Sequence, residues 1–154
     1  MRNDKFLSPS ASRTQEIGCE IGKSLRGGEI IFLSGILGAG KTVLVRGIAK
    51  SLGIRSKVPS PTFNIFRVYD CVLPKSKRKG KFYHFDCYRL KKYTELRNLG
   101  WEEILADSNA ITVLEWPECI SDRDVIKTPD KKIIAAGIKL ENNKRVVNIT
   151  VLKR

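Results

Sequence analysis

Apolar residues follow two kinds of pattern along the first half of the chain, and each predicts a different element. Residues 29–34, EIIFLS, contain a continuous apolar run that begins with two β-branched residues, which is typical of a strand buried on both faces of a parallel sheet. After a glycine-rich segment, apolar residues recur at helical spacing and stop at Gly53, a residue that often ends a helix. These residues are Leu44, Val45, Ile48, Ala49 and Leu52. The pattern therefore predicts a strand, a loop and a helix in direct succession.

A second helix is predicted ahead of this unit. Ile17, Ile21 and Leu25 share one helical face, and the stripe ends at a pair of glycines. The segment from Ser12 to Gln15 fits a capping box with Ser12 as the N-cap. We expect the helix to begin there, and residues 1–11 to form a flexible N-terminus.

The rest of the chain continues the alternation of strands and helices. Strand-like runs occupy residues 64–68, 82–89 and 110–114, and a helical pattern broken at Gly100 occupies residues 94–105. Two loosely alternating runs near the end, residues 132–140 and 145–152, predict a β-hairpin. Together these elements predict one α/β domain over residues 1–154, with a central, mostly parallel sheet, helices on its faces and a C-terminal hairpin.

The loop between the buried strand and its helix carries a phosphate-binding pattern. Residues 35–42, GILGAGKT, fit G-x-x-x-x-G-K-[ST] without a gap. The glycines let successive backbone N–H groups point into one concavity that binds phosphate oxygens. Lys41 can reach the β- and γ-phosphates, and Thr42 offers a hydroxyl to Mg²⁺. The pattern predicts a P-loop NTPase-like fold of three layers.

Two acidic residues come at the ends of later strand-like runs. Asp86 follows residues 82–85, and Glu115 follows residues 110–114. Because carboxyl ends of parallel strands meet at one edge of a sheet, Asp86 is a candidate for holding Mg²⁺ directly or through water. Glu115 is a candidate for binding the metal or orienting the attacking water. The single histidine, His84, is either a base or a packed, hydrogen-bonded strand residue. We favour the second interpretation, because P-loop chemistry depends on positioning rather than on an imidazole.

Two loops admit both a functional and a plain structural interpretation. Residues 58–63 contain two prolines and two hydroxyls, and are either a nucleotide-sensing switch with Thr62 or a proline turn. Residues 74–81 are dense in Lys and Arg, and are either a solvated hairpin turn or a contact point for an anion.

Composition narrows the function classes. The formal net charge of +13 on 154 residues predicts attraction to polyanions such as RNA, DNA or nucleotides. No apolar run approaches the length of a membrane span, and residues 1–9 lack the apolar stretch of a secretory signal. The four cysteines contain no C-x-x-C pair, which argues against a zinc site and a disulfide framework. We expect a cytoplasmic protein without a membrane association.

Several blocks of the chain together resemble one family, the TsaE P-loop ATPases of bacterial tRNA threonylcarbamoyladenosine biosynthesis. The blocks are the P-loop followed by Arg46 and Gly47, S-P-T-F at residues 60–63, HFDCYRL at residues 84–90 and LEWPE at residues 114–118. Their order and spacing agree over nearly the whole chain. Two features depart from the family pattern: Ile36 stands where members commonly carry Asp, and residues 75–81 form a basic insertion.

The resemblance implies Mg²⁺-dependent ATP binding and slow ATP hydrolysis that is useful within a complex with TsaB and TsaD, which transfer the carbamoyl group to adenosine of tRNA. It implies catalytic roles for Lys41, Asp86 and Glu115, and metal binding by Thr42, Asp86 and Glu115. The nucleotide-binding residues that it implies are Gly38, Ala39, Gly40, Lys41, Thr42, Val43, Thr62 and Trp116.

Two other function classes remain open at this point. A small-molecule kinase would transfer the γ-phosphate to an acceptor, with the basic loop as a lid, but that loop precedes the Asp86 strand rather than coming late in the fold. A nucleotide-gated RNA-binding module would use the positive charge. A GTPase is disfavoured because the chain has no N-K-x-D segment for guanine.

Overall fold

The computed structural model describes residues 3–122 and 131–152. Its strands are β1 (Asn3–Ser8), β2 (Ile30–Gly35), β3 (Phe66–Val72), β4 (Lys79–Asp86), β5 (Ala110–Glu115), β6 (Ile133–Glu141) and β7 (Lys144–Val151). Its helices are α1 (Ala11–Ser24), α2 (Lys41–Ser51), α3 (Tyr93–Arg97) and α4 (Trp101–Ala106), with a 3₁₀ turn at Pro117–Cys119. The predicted alternation of strands and helices, including the break at Gly100, is confirmed.

The described strands form one sheet in the order β1-β7-β6-β2-β5-β4-β3. Its centre is parallel: β2 pairs with β5 and β6, and β5 also pairs with β4. The outer strands are antiparallel, because β3 and β4, β6 and β7, and β7 and β1 pair in that sense. This arrangement confirms the predicted α/β fold with a mostly parallel central sheet and a C-terminal hairpin.

The predicted flexible N-terminus is wrong for residues 3–8; residues 1–2 of that prediction lie outside the described residues. Strand β1 extends the sheet by pairing with β7, with Phe6 opposite Val147. Phe6 packs against the buried core, and burial of its ring stabilises the strand. The sequence did not predict this strand because most of the residues around Phe6 are polar. Strand β7 of the hairpin would otherwise be the edge of the sheet, and β1 pairs with it.

The N-terminal end of α1 also differs from the prediction. The cap is Ser10 rather than Ser12, and its side chain accepts a hydrogen bond from the backbone N–H of Arg13 at 3.1 Å. Ser10 has the extended backbone that an N-cap needs, whereas Ser12 lies within the helix. Because the helix begins at Ala11, only two residues separate it from β1.

Helices α1 and α2 approach each other more closely than side chains would allow. A Cβ on Gly47 would lie 2.0 Å from the carbonyl oxygen of Gln15, and a Cβ on Gly18 would lie 2.1 Å from that of Leu44. The pair covers one face of the sheet, and α3 and α4 cover the other, each around its own buried cluster. The contact therefore sets where α2, which begins with Lys41, stands on the sheet.

None of the helices in residues 3–122 and 131–152 has the length and apolar character that crossing a membrane requires.

Candidate functional site

A cleft of about 540 Å³ opens at the carboxyl ends of the parallel strands β2, β5 and β4. Nine of the residues predicted from the sequence line it: Gly38, Gly40, Lys41, Thr42, Val43, Thr62, Asp86, Glu115 and Trp116. Ala39, the tenth, is fully buried in the same loop. Residues from four separate parts of the chain thus meet in one place, at the sheet edge where open α/β folds bind ligands.

The loop between β2 and α2 has the backbone geometry of an anion cradle. Gly40 is the N-cap of α2 with φ of +105°, and Gly38 has φ of +77°, a region that favours glycine. The loop ends at the positive end of α2, which attracts negative charge. A Cβ at Gly38 would meet no atom within 4 Å, so the backbone there is open.

Lys41 lies at the floor of the cleft and is only 6% exposed. Its Nζ donates to the carbonyl oxygen of Gly35 at 2.6 Å and to that of Ile36 at 3.1 Å. The same ammonium lies 3.9 Å from the centre of the Trp116 ring, a cation–π contact. The side chain is therefore held in place by backbone acceptors and by an aromatic face.

Burial lowers the pKa of Lys41, because removal from water disfavours the charged form. The carboxylates of Glu115, Glu118 and Asp86 act in the opposite direction. The cleft therefore contains an incompletely solvated cation beside acidic groups, which is an arrangement suited to receiving phosphate and a divalent metal together.

Trp116 owes its position to an unusual backbone conformation. Its φ of +57° and ψ of 44° place it in the left-handed region directly after β5. Its backbone N–H donates to the carbonyl oxygen of Leu33 at 3.2 Å. The indole also contacts Tyr88 edge to face, with ring centroids 5.2 Å apart. The two rings and Lys41 form a connected group on one wall of the cleft.

The two predicted carboxylates are neighbours. Asp86 and Glu115 are register partners at the ends of β4 and β5, and both are buried. Oδ1 of Asp86 accepts a hydrogen bond from the backbone N–H of Tyr88 at 3.0 Å. Parallel pairing thus brings together two acidic groups that are 29 residues apart in sequence.

Glu115 is positioned by His84. Nε2 of His84 lies 2.7 Å from Oε1 of Glu115, and the imidazole is fully buried. Nδ1 of the same ring has no partner among the described residues. Facing a carboxylate oxygen, which accepts, Nε2 is the nitrogen that donates in this pair. The expectation of a packed, hydrogen-bonded strand histidine is confirmed.

The proline loop at residues 58–63 forms another wall of the cleft. Ser60 Oγ and Thr62 Oγ1 are hydrogen-bonded at 2.7 Å, and both residues line the cleft. A terminal amino group of Arg89 donates to the carbonyl oxygen of Thr62. Arg89 lies three residues after Asp86, so this contact links the loop to the end of β4.

Four cleft residues did not emerge from sequence reasoning as site residues: Leu37, Ser60, Tyr88 and Arg145. Ser60 lies in the S-P-T-F motif two residues before Thr62, and Tyr88 lies in the HFDCYRL motif two residues after Asp86. This nearness in sequence was the signal that could have identified them. Arg145 had no such signal. It comes from β7, and its Nε donates to the carbonyl oxygen of Ala39 at 3.0 Å, a contact that only the folded sheet creates.

Comparison with known proteins is consistent with this geometry. Residues 8–147 match the family of threonylcarbamoyl adenosine biosynthesis protein TsaE. The tRNA threonylcarbamoyladenosine biosynthesis protein TsaE of Borreliella burgdorferi is 40% identical over 119 residues, which cover 75% of this chain and 82% of that protein. The protein of the same name from Treponema pallidum is 35% identical over 135 residues, which cover 86% of this chain and 94% of that protein.

A solved structure agrees over the whole fold. The crystal structure of Bacillus subtilis YdiB superposes with a TM-score of 0.75 at 25% identity, and the alignment covers 99% of this chain and 87% of YdiB. The family match spans most of the chain, including each cleft residue from the P-loop to Arg145. The chain therefore belongs to the TsaE family of tRNA threonylcarbamoyladenosine biosynthesis proteins.

Proposed function

We propose that this protein binds Mg-ATP in the cleft and hydrolyses it slowly, as an assembly or reset ATPase for tRNA threonylcarbamoyladenosine modification. In this proposal it works in the cytoplasm in a complex with TsaB and TsaD, and meets tRNA in that setting. The observation that carries the proposal is the convergence of Lys41, Thr42, Asp86 and Glu115 on one cleft beside the glycine loop.

The donor set of the cleft fits a magnesium nucleotide. The glycine loop and Lys41 supply N–H and ammonium donors for phosphate oxygens. Thr42, Asp86 and Glu115 supply oxygen atoms, which Mg²⁺ prefers. Among the described residues no group of three or more His, Cys, Asp or Glu side chains could hold a metal. P-loop proteins bind Mg²⁺ through few protein oxygens together with phosphates and water.

Each residue has a role in this proposal. Bound Mg²⁺ would neutralise charge on the phosphates during transfer to water. Lys41 would exchange its carbonyl acceptors for phosphate oxygens, and Thr42 and Asp86 would hold the metal. Glu115, oriented by His84, accepts a hydrogen bond from the attacking water and positions it in line. Thr62 and Trp116 close the walls around the nucleotide and limit the access of other water.

ATP turnover with Mg²⁺ tests the proposal, first with the purified chain and then with TsaB, TsaD and tRNA added. We expect slow turnover alone and a changed rate in the presence of the partners. Turnover that ignores the partners but rises strongly with a small hydroxylated acceptor would identify a kinase and overturn the assembly role.

Binding is tested separately by calorimetry with the Lys41→Ala variant. Loss of the cation that faces the phosphates should weaken ATP binding at least about tenfold, which corresponds to about 1.4 kcal/mol. Unchanged affinity would exclude the cleft as the nucleotide site.

A further inference from the structure

A second cavity, larger than the nucleotide cleft, lies between α2 and the loop that follows it. It has a volume of about 890 Å³, and Gln15 of α1 contributes to its wall. It shares no lining residue with the cleft described above. The two are nevertheless adjacent along the chain, because Pro59 lines the one and Ser60 the other. We call this second cavity the basic groove.

The groove is lined by four cationic side chains, Arg46, Lys50, Arg55 and Lys57, and by no acidic one. All four residues are exposed. None of them forms an ion pair with a described residue. Some other surface cations are neutralised by carboxylates: Arg13 pairs with Glu16 and Glu20, Lys81 with Asp70, and Arg97 with Glu102. The groove thus places unneutralised positive charge around a concave surface, and a cleft lined by one sign of charge focuses its field.

The walls of the groove are held in place before any ligand binds. Ile54 and Val58 turn inward and belong to the buried core, so the loop between them is anchored at both ends. Nε of Arg46 donates to the carbonyl oxygen of Val58 at 3.1 Å. This bond ties α2 to the loop and leaves the terminal amino groups of the guanidinium available for an anion. A preformed groove loses less conformational entropy on binding.

We propose that the basic groove binds the sugar-phosphate backbone of RNA directly. Arg and Lys supply the charge that phosphates require. The lining contains no aromatic side chain, so base stacking is not provided, and we expect binding that depends little on base sequence. The names of the TsaE relatives place them in a tRNA-modification pathway. Among polyanions, we therefore choose RNA as the ligand. This contact goes beyond the proposed ATPase function and does not depend on hydrolysis.

The basic loop between β3 and β4 is the competing surface, and the structure favours the groove over it. The loop is the tip of a β-hairpin. Lys75, one of its cations, lines a different cavity whose wall carries the acidic residues Asp4 and Glu20 beside Arg26 and Lys132, whereas the wall of the groove carries no acidic residue. The loop therefore offers a matched set of exposed charges for a control experiment.

The test measures the affinity of the full chain for a fluorescently labelled, unmodified tRNA transcript by anisotropy, without nucleotide, between 50 and about 200 mM KCl. The groove variant is Lys50→Ala with Lys57→Ala, and the control is Lys75→Ala with Lys79→Ala. Each removes two exposed lysines, so the net charge falls from +13 to +11 in both. Thermal unfolding and ATP affinity are measured for both, and neither variant touches the nucleotide cleft.

We expect the groove variant to bind at least about tenfold more weakly at 100 mM KCl, and its log–log salt slope to fall by about 1.4 to 1.8. The control variant should retain the wild-type slope to within about half of that change. Equal losses in the two variants would mean diffuse attraction to the whole molecule and would overturn the groove. An unaffected groove variant would also overturn it.

A competition arm separates RNA from an acidic protein as the occupant. Polyglutamate is added to the wild-type complex at matched charge concentration. RNA that stays bound supports a site for phosphates, whereas efficient displacement would assign the groove to an acidic protein and reject the RNA proposal. Failure of the ATPase proposal would leave these results unchanged, because no arm contains ATP during RNA binding.

Discussion

Glu115 is the residue through which the proposed chemistry is most directly tested. Its carboxylate is buried at the end of β5 and receives one hydrogen bond from His84. Glu115→Gln keeps the size and a hydrogen-bonding oxygen but removes the negative charge. We expect hydrolysis to fall about a hundredfold while ATP affinity changes by less than about threefold.

Single-turnover hydrolysis and calorimetric binding provide the two measurements for Glu115→Gln. Interactions that exist only in the transition state reduce turnover without reducing ground-state binding. Equal losses in affinity and turnover would instead mean that Glu115 acts in nucleotide binding and not on the water.

In the proposed function His84 positions Glu115, and substitutions that keep or remove the donor at the place of Nε2 test this role. In His84→Gln the side-chain amide can place a donor near the position of Nε2, whereas His84→Leu leaves Oε1 of Glu115 without its partner. We expect His84→Leu to lower the free energy of unfolding by about 1–3 kcal/mol and to reduce turnover.

His84→Gln should recover part of that turnover with an unchanged KM for ATP. Denaturant unfolding and steady-state kinetics of both variants make the comparison. If His84 only fills space, turnover in the two variants should follow their stability alone. In that case His84→Gln, which restores the donor, would show no recovery of turnover.

At the scale of elements, the contact between α1 and α2 decides where the P-loop helix stands. Gly47→Ala should destabilise the protein by about 1–3 kcal/mol, because the new methyl group would overlap the Gln15 carbonyl. The effect opposes helix propensity, which by itself favours Ala over Gly by about 1 kcal/mol.

Gly137→Ala is the matched control for Gly47→Ala, since a Cβ at position 137 would meet no atom within 4 Å. We expect its unfolding free energy to stay within about 0.5 kcal/mol of the wild type, the usual range for substitutions away from packed contacts. Denaturant unfolding of the two variants is the measurement, and a neutral Gly47→Ala would contradict the close helix contact.

The edge strand β1 shows why element boundaries need the whole sheet. Its residues carry no strong hydrophobic period of their own, yet all of them, from Asn3 to Ser8, pair with residues 145–150 of β7. Apolar burial of Phe6 and backbone pairing together order the segment. An isolated window of sequence contains neither contribution.

At the scale of the whole molecule, Arg145 connects the C-terminal hairpin to the P-loop. Its Nε donates to Ala39 at 3.0 Å, and its side chain lines the cleft. Arg145→Ala should weaken ATP binding about tenfold, the equivalent of about 1.4 kcal/mol, because it removes a cation and a support of the loop.

Lys144→Ala serves as the control for Arg145→Ala, since Lys144 is the exposed neighbour on the same strand and does not line the cleft. Calorimetric titration with Mg-ATP should show wild-type affinity for this variant. Comparable weakening in both variants would mean that Arg145 contributes only general charge.

Much of the site could be predicted because its signals are local. The P-loop is a continuous segment whose glycines, Lys41 and Thr42 carry their chemistry through adjacent backbone, so a short pattern suffices to find it. Asp86 and Glu115 could be predicted because each ends an apolar run, and parallel strands bring their carboxyl ends to one edge. The roles of these residues in catalysis and metal binding stay predictions.

The sequence by itself therefore determined the fold class, the order of the central elements and most of the residues that line the cleft, all of which depend on short-range patterns and strand ends. Only the tertiary structure decided the His84–Glu115 pair, the contact of Arg145 with Ala39, the edge strand β1 and the basic groove. Each depends on strand register or on the packing of distant segments, and those are set by burial and pairing over the whole sheet, which no local window of residues encodes.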